Sequence, residues 1–174
     1  MSNSLDNKLV VLIGGNGFVG RHLAQDLLAQ GCRVRIAARH PQTALTLKPA
    51  ANLGQLQFWP CDVRNADALH AAVQGADAVV YLVGTFGKDQ PQLHATSAGV
   101  AAQAAAAGGA QAFVYLSSLA ADLTSDGTYA STKAQGEQLV RAAFPRATVV
   151  RPSIVFGQDD QFIAMFAGLI ASLP

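Results

Sequence analysis

The sequence is poor in cysteine, in charge and in long apolar runs, and each shortage removes a class of function. Its two cysteines, Cys32 and Cys61, stand far apart with no Cys or His at ligand spacing, which leaves neither a zinc motif nor a disulfide framework. They read as reduced, partly buried thiols. The four histidines, His22, His40, His70 and His94, form no His-x-x-x-His pair. They read as surface or helix-face residues without a catalytic role, and no metal site is expected. Charged residues make up only 13% of the chain, and 12 Lys+Arg against 11 Asp+Glu give a net charge of +1. That balance lacks the basic excess which drives binding to phosphate backbones, so nucleic acid is not an expected partner. The polar segment Met1 to Lys8 precedes an apolar run, Leu9 to Ile13, too short for a signal-peptide core or a membrane span. Phe162 to Leu173 is apolar for only a dozen residues and reads as a packing helix. No transmembrane segment is expected, and the expected location is cytoplasmic.

What the chain does have is apolar content, 51% over 174 residues, enough to bury one substantial core. Lys8 to Ile13 enters a glycine cluster, Phe18 to Gln30 has helical apolar spacing, and Gly31 stops it. Strands are predicted at Arg33 to Ala38, Gln55 to Pro60, Ala78 to Val83, Ala112 to Leu116 and Ala147 to Val150. Helices are predicted at Ala66 to Val73, at the alanine-rich His94 to Ala107 ending in Gly108-Gly109, and at Tyr129 to Ala143. Such alternation predicts an α/β fold, a doubly wound parallel sheet with helices on both faces. Residues 1–157 are expected to form a dinucleotide-binding domain, with 158–174 the start of a C-terminal substrate region.

Three constellations carry chemistry. Gly14-Gly15-Asn16-Gly17-Phe18-Val19-Gly20 lies between a strand and a helix, where glycines let the backbone turn tightly and approach a pyrophosphate at the helix N-terminus. Backbone N–H groups near Phe18 and Val19 would face the phosphate, although a glycine-rich turn without a ligand has the same appearance. After the second strand stands Arg39, where NAD preference would place a carboxylate for the ribose hydroxyls. A guanidinium there can grip a 2′-phosphate, which favours NADP(H) and still allows NAD(H); a solvated surface arginine is the plain alternative. Arg21 is a second candidate. Asp62-Val63, after the third strand, can meet the adenine or cap a loop. Finally, Tyr129 and Lys133 are four positions apart, on one helix face, where a cation favours phenolate and so permits proton transfer. Ser118 ends the preceding strand and can orient a substrate oxygen beside them.

Gly14-x-x-Gly17-x-x-Gly20, Ser117-Ser118, Tyr129-x-x-x-Lys133 and Arg151-Pro152-Ser153-Ile154-Val155-Phe156-Gly157 together resemble the extended and atypical short-chain dehydrogenase/reductases, with their Rossmann fold, nearly end to end. The stretch from Ala143 to Asp160, followed by Phe162 and Phe166, resembles the branch of the complex I 39-kDa accessory subunit and its bacterial relatives. The resemblance implies that Tyr129 is the general acid/base and that Lys133 holds the nicotinamide ribose and lowers the tyrosine pKa. It implies that Ser118 assists, that Ser117 with Leu82, Val83, Gly84 and Thr85 lines the cofactor, and that Pro152, Ser153 and Ile154 approach the nicotinamide. The expected function is an NAD(P)(H)-dependent oxidoreductase acting on a small-molecule substrate. One alternative is a non-catalytic, nucleotide-holding accessory or assembly protein linked to respiratory complex I or quinone metabolism, membrane-associated through its partner. A sugar-nucleotide epimerase or dehydratase is the other, and the short Ser118–Tyr129 interval, which has no Val-Tyr-Gly turn, speaks against it. A homodimer through the helices bearing Tyr129 and Ala95 to Ala107 is also implied by resemblance.

Overall fold

The computed structural model describes residues 5–157. Six parallel strands form one sheet: β1 (Leu9–Ile13), β2 (Arg33–Ala38), β3 (Leu56–Pro60), β4 (Ala78–Tyr81), β5 (Ala112–Leu116) and β6 (Thr148–Val150), in the order β3-β2-β1-β4-β5-β6. This is the doubly wound arrangement, and its order reverses between β1 and β4, opening a crevice beyond the carboxyl ends of those strands.

Every residue of β1 is buried, as a central parallel strand requires. Its side chains alternate between two cores. Val10 and Leu12 meet Ala24, Leu27 and Leu28 of α1 (Phe18–Ala29) and Ala44 and Leu47 of a 3₁₀ segment, Pro41–Ala50. Leu9, Val11 and Ile13 face the layer made by α2 (Ala66–Val73), α3 (Ser97–Ala107) and α4 (Thr128–Ala143), with Phe113, Tyr81 and Tyr115 filling the space. Helix α1 ends at Gly31, whose φ of +86° lets the Gly31 and Cys32 N–H groups return to the carbonyls of Leu28 and Leu27.

The predicted elements are found with three differences of more than one residue. β4 ends at Tyr81 rather than Val83: Leu82 still donates its N–H to the Ile13 carbonyl, and the chain then leaves the sheet to line the crevice. The alanine-rich helix begins earlier, with a π-helical turn over Pro91–Thr96 that runs into α3. The 3₁₀ segment lacked a clear period because Pro41 and Pro49 bound it and only Pro41, Ala44 and Leu47 turn inward. Cys32 is fully buried and Cys61 nearly so, at the wall of the crevice, and His94 is a core residue rather than a surface one. The apolar stretch 162–173 lies outside the described residues. Among the described residues, no helix is long and apolar enough to cross a membrane.

Candidate active site

The crevice is lined by Gly14, Asn16 and Gly17 from the first strand–helix turn, by Ala37 to His40 at and beyond the end of β2, by Cys61 to Arg64 after β3, and by Leu82, Val83 and Gly84 after β4. Each group enters from the end of a parallel strand, so the fold brings together residues up to seventy positions apart in sequence. Gly14 has a φ of +80°, which suits a residue without Cβ. Gly17 is the N-cap of α1 and supplies no side-chain cap, so the first N–H groups of the helix stay available to an anion. A side chain at Gly20 would lie 2.5 Å from the Gly15 Cα. Gly20 therefore permits helix–strand contact instead of lining the cleft. The side chains of Phe18 and Val19 face a separate apolar groove with Val155, Phe156 and Gly157, which leaves only their backbone near the turn.

Arg39 is exposed at the lip of the cleft, where its charge helps lower the Asp62 pKa. Arg21 is not a cleft residue: its guanidinium donates to the Asn16 carbonyl at 3.1 Å, bracing the glycine turn from outside. Asp62 accepts bonds from the Arg64 side chain at 2.6–3.2 Å and from the Arg64 N–H at 3.0 Å, which bring its pKa down to about 2. Its carboxylate thus caps the loop and faces the cleft together.

At the other end of the cleft the tyrosine, lysine and serine converge. Lys133 is 3% exposed, donates its ammonium to the Leu116 carbonyl at 2.9 Å, and lies 3.7 Å from where a Cβ of Gly84 would be. Burial lowers its pKa to about 8. Tyr129 is half-buried, with the Ser118 side chain near enough to its phenol to act on its pKa, and its ring centroid is 6.0 Å from the Lys133 nitrogen. Burial raises the phenol pKa, with the nearby Ser118 hydroxyl opposing. The expected depression of the Tyr129 pKa by the lysine is thus absent in this structure, because the ammonium is turned to the Leu116 carbonyl and desolvation dominates.

Two expected contacts are placed differently. The Ser117 hydroxyl donates to the buried Glu137 carboxylate at 2.5 Å and its N–H to the Val150 carbonyl at 2.8 Å, so neither donor is aimed at the cleft. Pro152 accepts the Leu119 N–H at 2.9 Å, which sets Pro152 and the exposed Ser153 and Ile154 beside Ser118, outside the cleft lining itself. Sequence reasoning missed Arg64, Asp89, His94 and Glu137. Only Glu137 had a signal: with Tyr129 and Lys133 it continues the spacing of four along one face of α4.

A family model described as NAD(P)H-binding matches residues 14–163, most of the chain. The chain belongs to the NAD(P)H-binding family. The NADH-ubiquinone oxidoreductase 40 kDa subunit of Neurospora crassa is 32% identical over 174 residues, covering 96% of this chain and 46% of that protein. Subunit 9 of the NADH dehydrogenase (ubiquinone) 1 alpha subcomplex of Mus musculus is 32% identical over 170 residues, covering 95% and 45%. A ceramide reductase of Caulobacter vibrioides is 33% identical over 156 residues, covering 87% and 48%. The chain therefore spans about half the length of these curated relatives. A short-chain dehydrogenase/reductase structure from Mycobacterium ulcerans superposes with a TM-score of 0.79 at 23% identity, covering 97% of this chain and 75% of that one. These matches agree with the short-chain dehydrogenase/reductase-like fold and with the complex I 39-kDa branch which the 143–160 stretch implied. Membership of the NAD(P)H-binding family means that a nicotinamide dinucleotide is the group to fit here. The side-chain-free turn at Gly14 and Gly17 and the uncapped start of α1 suit its phosphates.

Proposed function

We propose that this chain is the dinucleotide-holding half of an NADP(H)-dependent oxidoreductase in which Tyr129 moves the proton. The observation that carries the reading is the convergence of Tyr129, Ser118 and Lys133 beside Gly84 at one end of a cleft whose other end holds Arg39. When bound, the nicotinamide gives hydride to a substrate carbonyl carbon or takes it from an alcohol carbon. The Tyr129 phenol gives its proton to the substrate oxygen in the first direction and accepts it in the second. Ser118 donates to the same oxygen and to the phenol alternately. Lys133, buried and cationic beside Gly84, would hold the ribose of a bound dinucleotide, and moving its ammonium from the Leu116 carbonyl toward Tyr129 would favour the phenolate.

One side of the phenol is apolar. The Phe86 ring stacks on Tyr129 with centroids 4.7 Å apart and is 84% exposed, and Leu119, next to Ser118, is 68% exposed. We read these as walls for a substrate with an apolar body, and the Caulobacter relative, named a ceramide reductase, supports that direction.

The test is calorimetric titration with NADPH and NADH at one salt concentration. Arg39 predicts NADPH binding about tenfold tighter, since one exposed charge-assisted contact contributes about 1.5 kcal/mol, and Arg39→Ala should erase the difference. Equal affinities in the native chain would refute the NADP preference. Tyr129→Phe retaining full turnover of a long-chain ketone would refute the proton relay. A second reading, a nucleotide held as a structural part of a larger assembly, is favoured by the subunit names of the curated relatives. Under it, a retained dinucleotide would neither exchange nor change redox state.

A further inference from the structure

His94 is 0% exposed and sits in the π-helical turn, behind the Tyr129 ring. Its two ring nitrogens have different, fixed jobs. The Thr85 backbone N–H can only donate, so Nε2, 3.0 Å away, is the bare, accepting nitrogen. A neutral imidazole then carries its proton on Nδ1, which donates to Thr132 Oγ1 at 3.0 Å, while the Thr132 hydroxyl donates onward to the Thr128 carbonyl at 2.7 Å. Burial and the nearby Lys133 charge push the His94 pKa down to about 4, so the neutral ring persists at ordinary pH. Its carbonyl accepts the Tyr115 hydroxyl at 2.8 Å, and α4 comes this close because position 136 is glycine: a Cβ there would collide with that carbonyl.

These contacts reach both parts of the site. Thr85 belongs to the segment that follows the cleft-lining Leu82, Val83 and Gly84, and Phe86, the next residue, covers one face of Tyr129. Thr132 lies between Tyr129 and Lys133 on α4. The His94 ring itself meets the Tyr129 ring edge-on, with centroids 5.3 Å apart and planes at 85°. We propose that His94 is a positioning residue: it ties the Gly84–Thr85–Phe86 segment to helix α4 and thereby holds the Tyr129 ring in the half-buried pose between Phe86 and the helix. This rests on the reading of Tyr129 as the acid/base, and it goes beyond it by assigning what fixes that phenol.

The experiment reads the phenol directly and needs no substrate. Tyrosinate absorbance is followed against pH in the 174-residue chain, with Tyr129→Phe subtracted; Tyr81 and Tyr115 are buried with raised pKa values and ionise later. His94→Phe keeps a ring but loses both nitrogens, so Phe86 and Tyr129 loosen, and the Tyr129 titration should move down toward the ordinary tyrosine value, the direction opposite to the burial that raises it. His94→Gln keeps an acceptor for the Thr85 N–H and should stay nearer the native curve. Should His94→Phe not fold, His94→Asn replaces it, since its amide is too short to reach Thr85. No shift in any variant, or equal shifts in the glutamine variant and the one without a Thr85 partner, overturns the proposal. If instead Tyr129→Phe keeps turnover while the titration moves as expected, the acid/base reading fails and the positioning survives.

Discussion

Glu137 is the strongest test of how the site is held. It is 2% exposed, accepts the Arg151 guanidinium through both oxygens at 2.8 and 2.6 Å, and accepts Ser117 Oγ at 2.5 Å. Burial alone would raise its pKa, but the bonds from Arg151 and Ser117 and the charges of Arg151 and Arg141 outweigh it, and the net shift is downward. Glu137→Ala removes three hydrogen bonds and leaves a buried Ser117 hydroxyl unpaired, at about 1–3 kcal/mol for that group. Arg151 is half-exposed and returns to water, so the loss stays below the 3–5 kcal/mol typical of a fully buried broken pair. A total of about 2–4 kcal/mol follows, or roughly 5–15 °C in melting temperature for a chain of this size. Glu137→Gln keeps an acceptor for Ser117 and loses the charge, and should cost about half as much.

The assay is urea unfolding of the native chain and both variants, with the slope required to stay constant so that the midpoint reports stability. The pH dependence checks the cause. Because the folded pKa is depressed, the contribution of Glu137 is fully present above the unfolded carboxylate value and is lost as pH falls through the folded one. The gap between native and Glu137→Gln should therefore be constant near neutrality and close in acid. A Glu137→Ala variant within about 0.5 kcal/mol of native, the level of an ordinary surface change, would refute the reasoning. So would a gap that widens as pH falls.

Other expectations follow from the same geometry. Gly20→Ala places a Cβ against the Gly15 backbone, with no flexible side chain to yield, and should cost about 1–3 kcal/mol and weaken NADPH binding; unchanged values in calorimetry and melting would contradict the contact. Cys32 and Cys61 are buried, desolvation raises both thiols, and Cys61 reaches about 11, so neither should react with a thiol reagent until urea unfolds the chain; fast labelling of the native protein would contradict their burial. Lys133→Met removes the buried cation next to Gly84 and should lower dinucleotide affinity about tenfold while leaving the fold intact, measured by titration and circular dichroism; unaltered affinity would remove Lys133 from the ribose contact.

The sheet was legible because parallel strands buried on both faces leave unbroken apolar runs: Val10 to Ile13 and Val79 to Tyr81 can be nothing else between a glycine turn and a helix. Gly14, Asn16, Gly17, Arg39, Asp62, Val63 and Leu82 to Gly84 were equally legible and share one cleft, since each follows the carboxyl end of a strand whose position the alternation dictates. What stayed hidden depends on a third dimension that spacing does not encode. Ser118 was legible beside Tyr129, but its neighbour Ser117, just past β5, turns its hydroxyl to the buried Glu137, twenty residues on in α4. His94 lies thirty-five residues before Tyr129 in a turn of unusual pitch, and only the close approach allowed by Gly136 brings the two together.

The same geometry explains why the Tyr-x-x-x-Lys spacing announced a proton-transfer pair more firmly than the structure delivers one. Four residues put Tyr129 and Lys133 on one face, but the ammonium has a second partner, the Leu116 carbonyl, which the sequence gives no means to foresee. Whether the phenol is acidified therefore depends on where a buried cation turns. That makes the residues fixing the phenol, Ser118, Phe86 and His94, as decisive for its chemistry as the lysine itself.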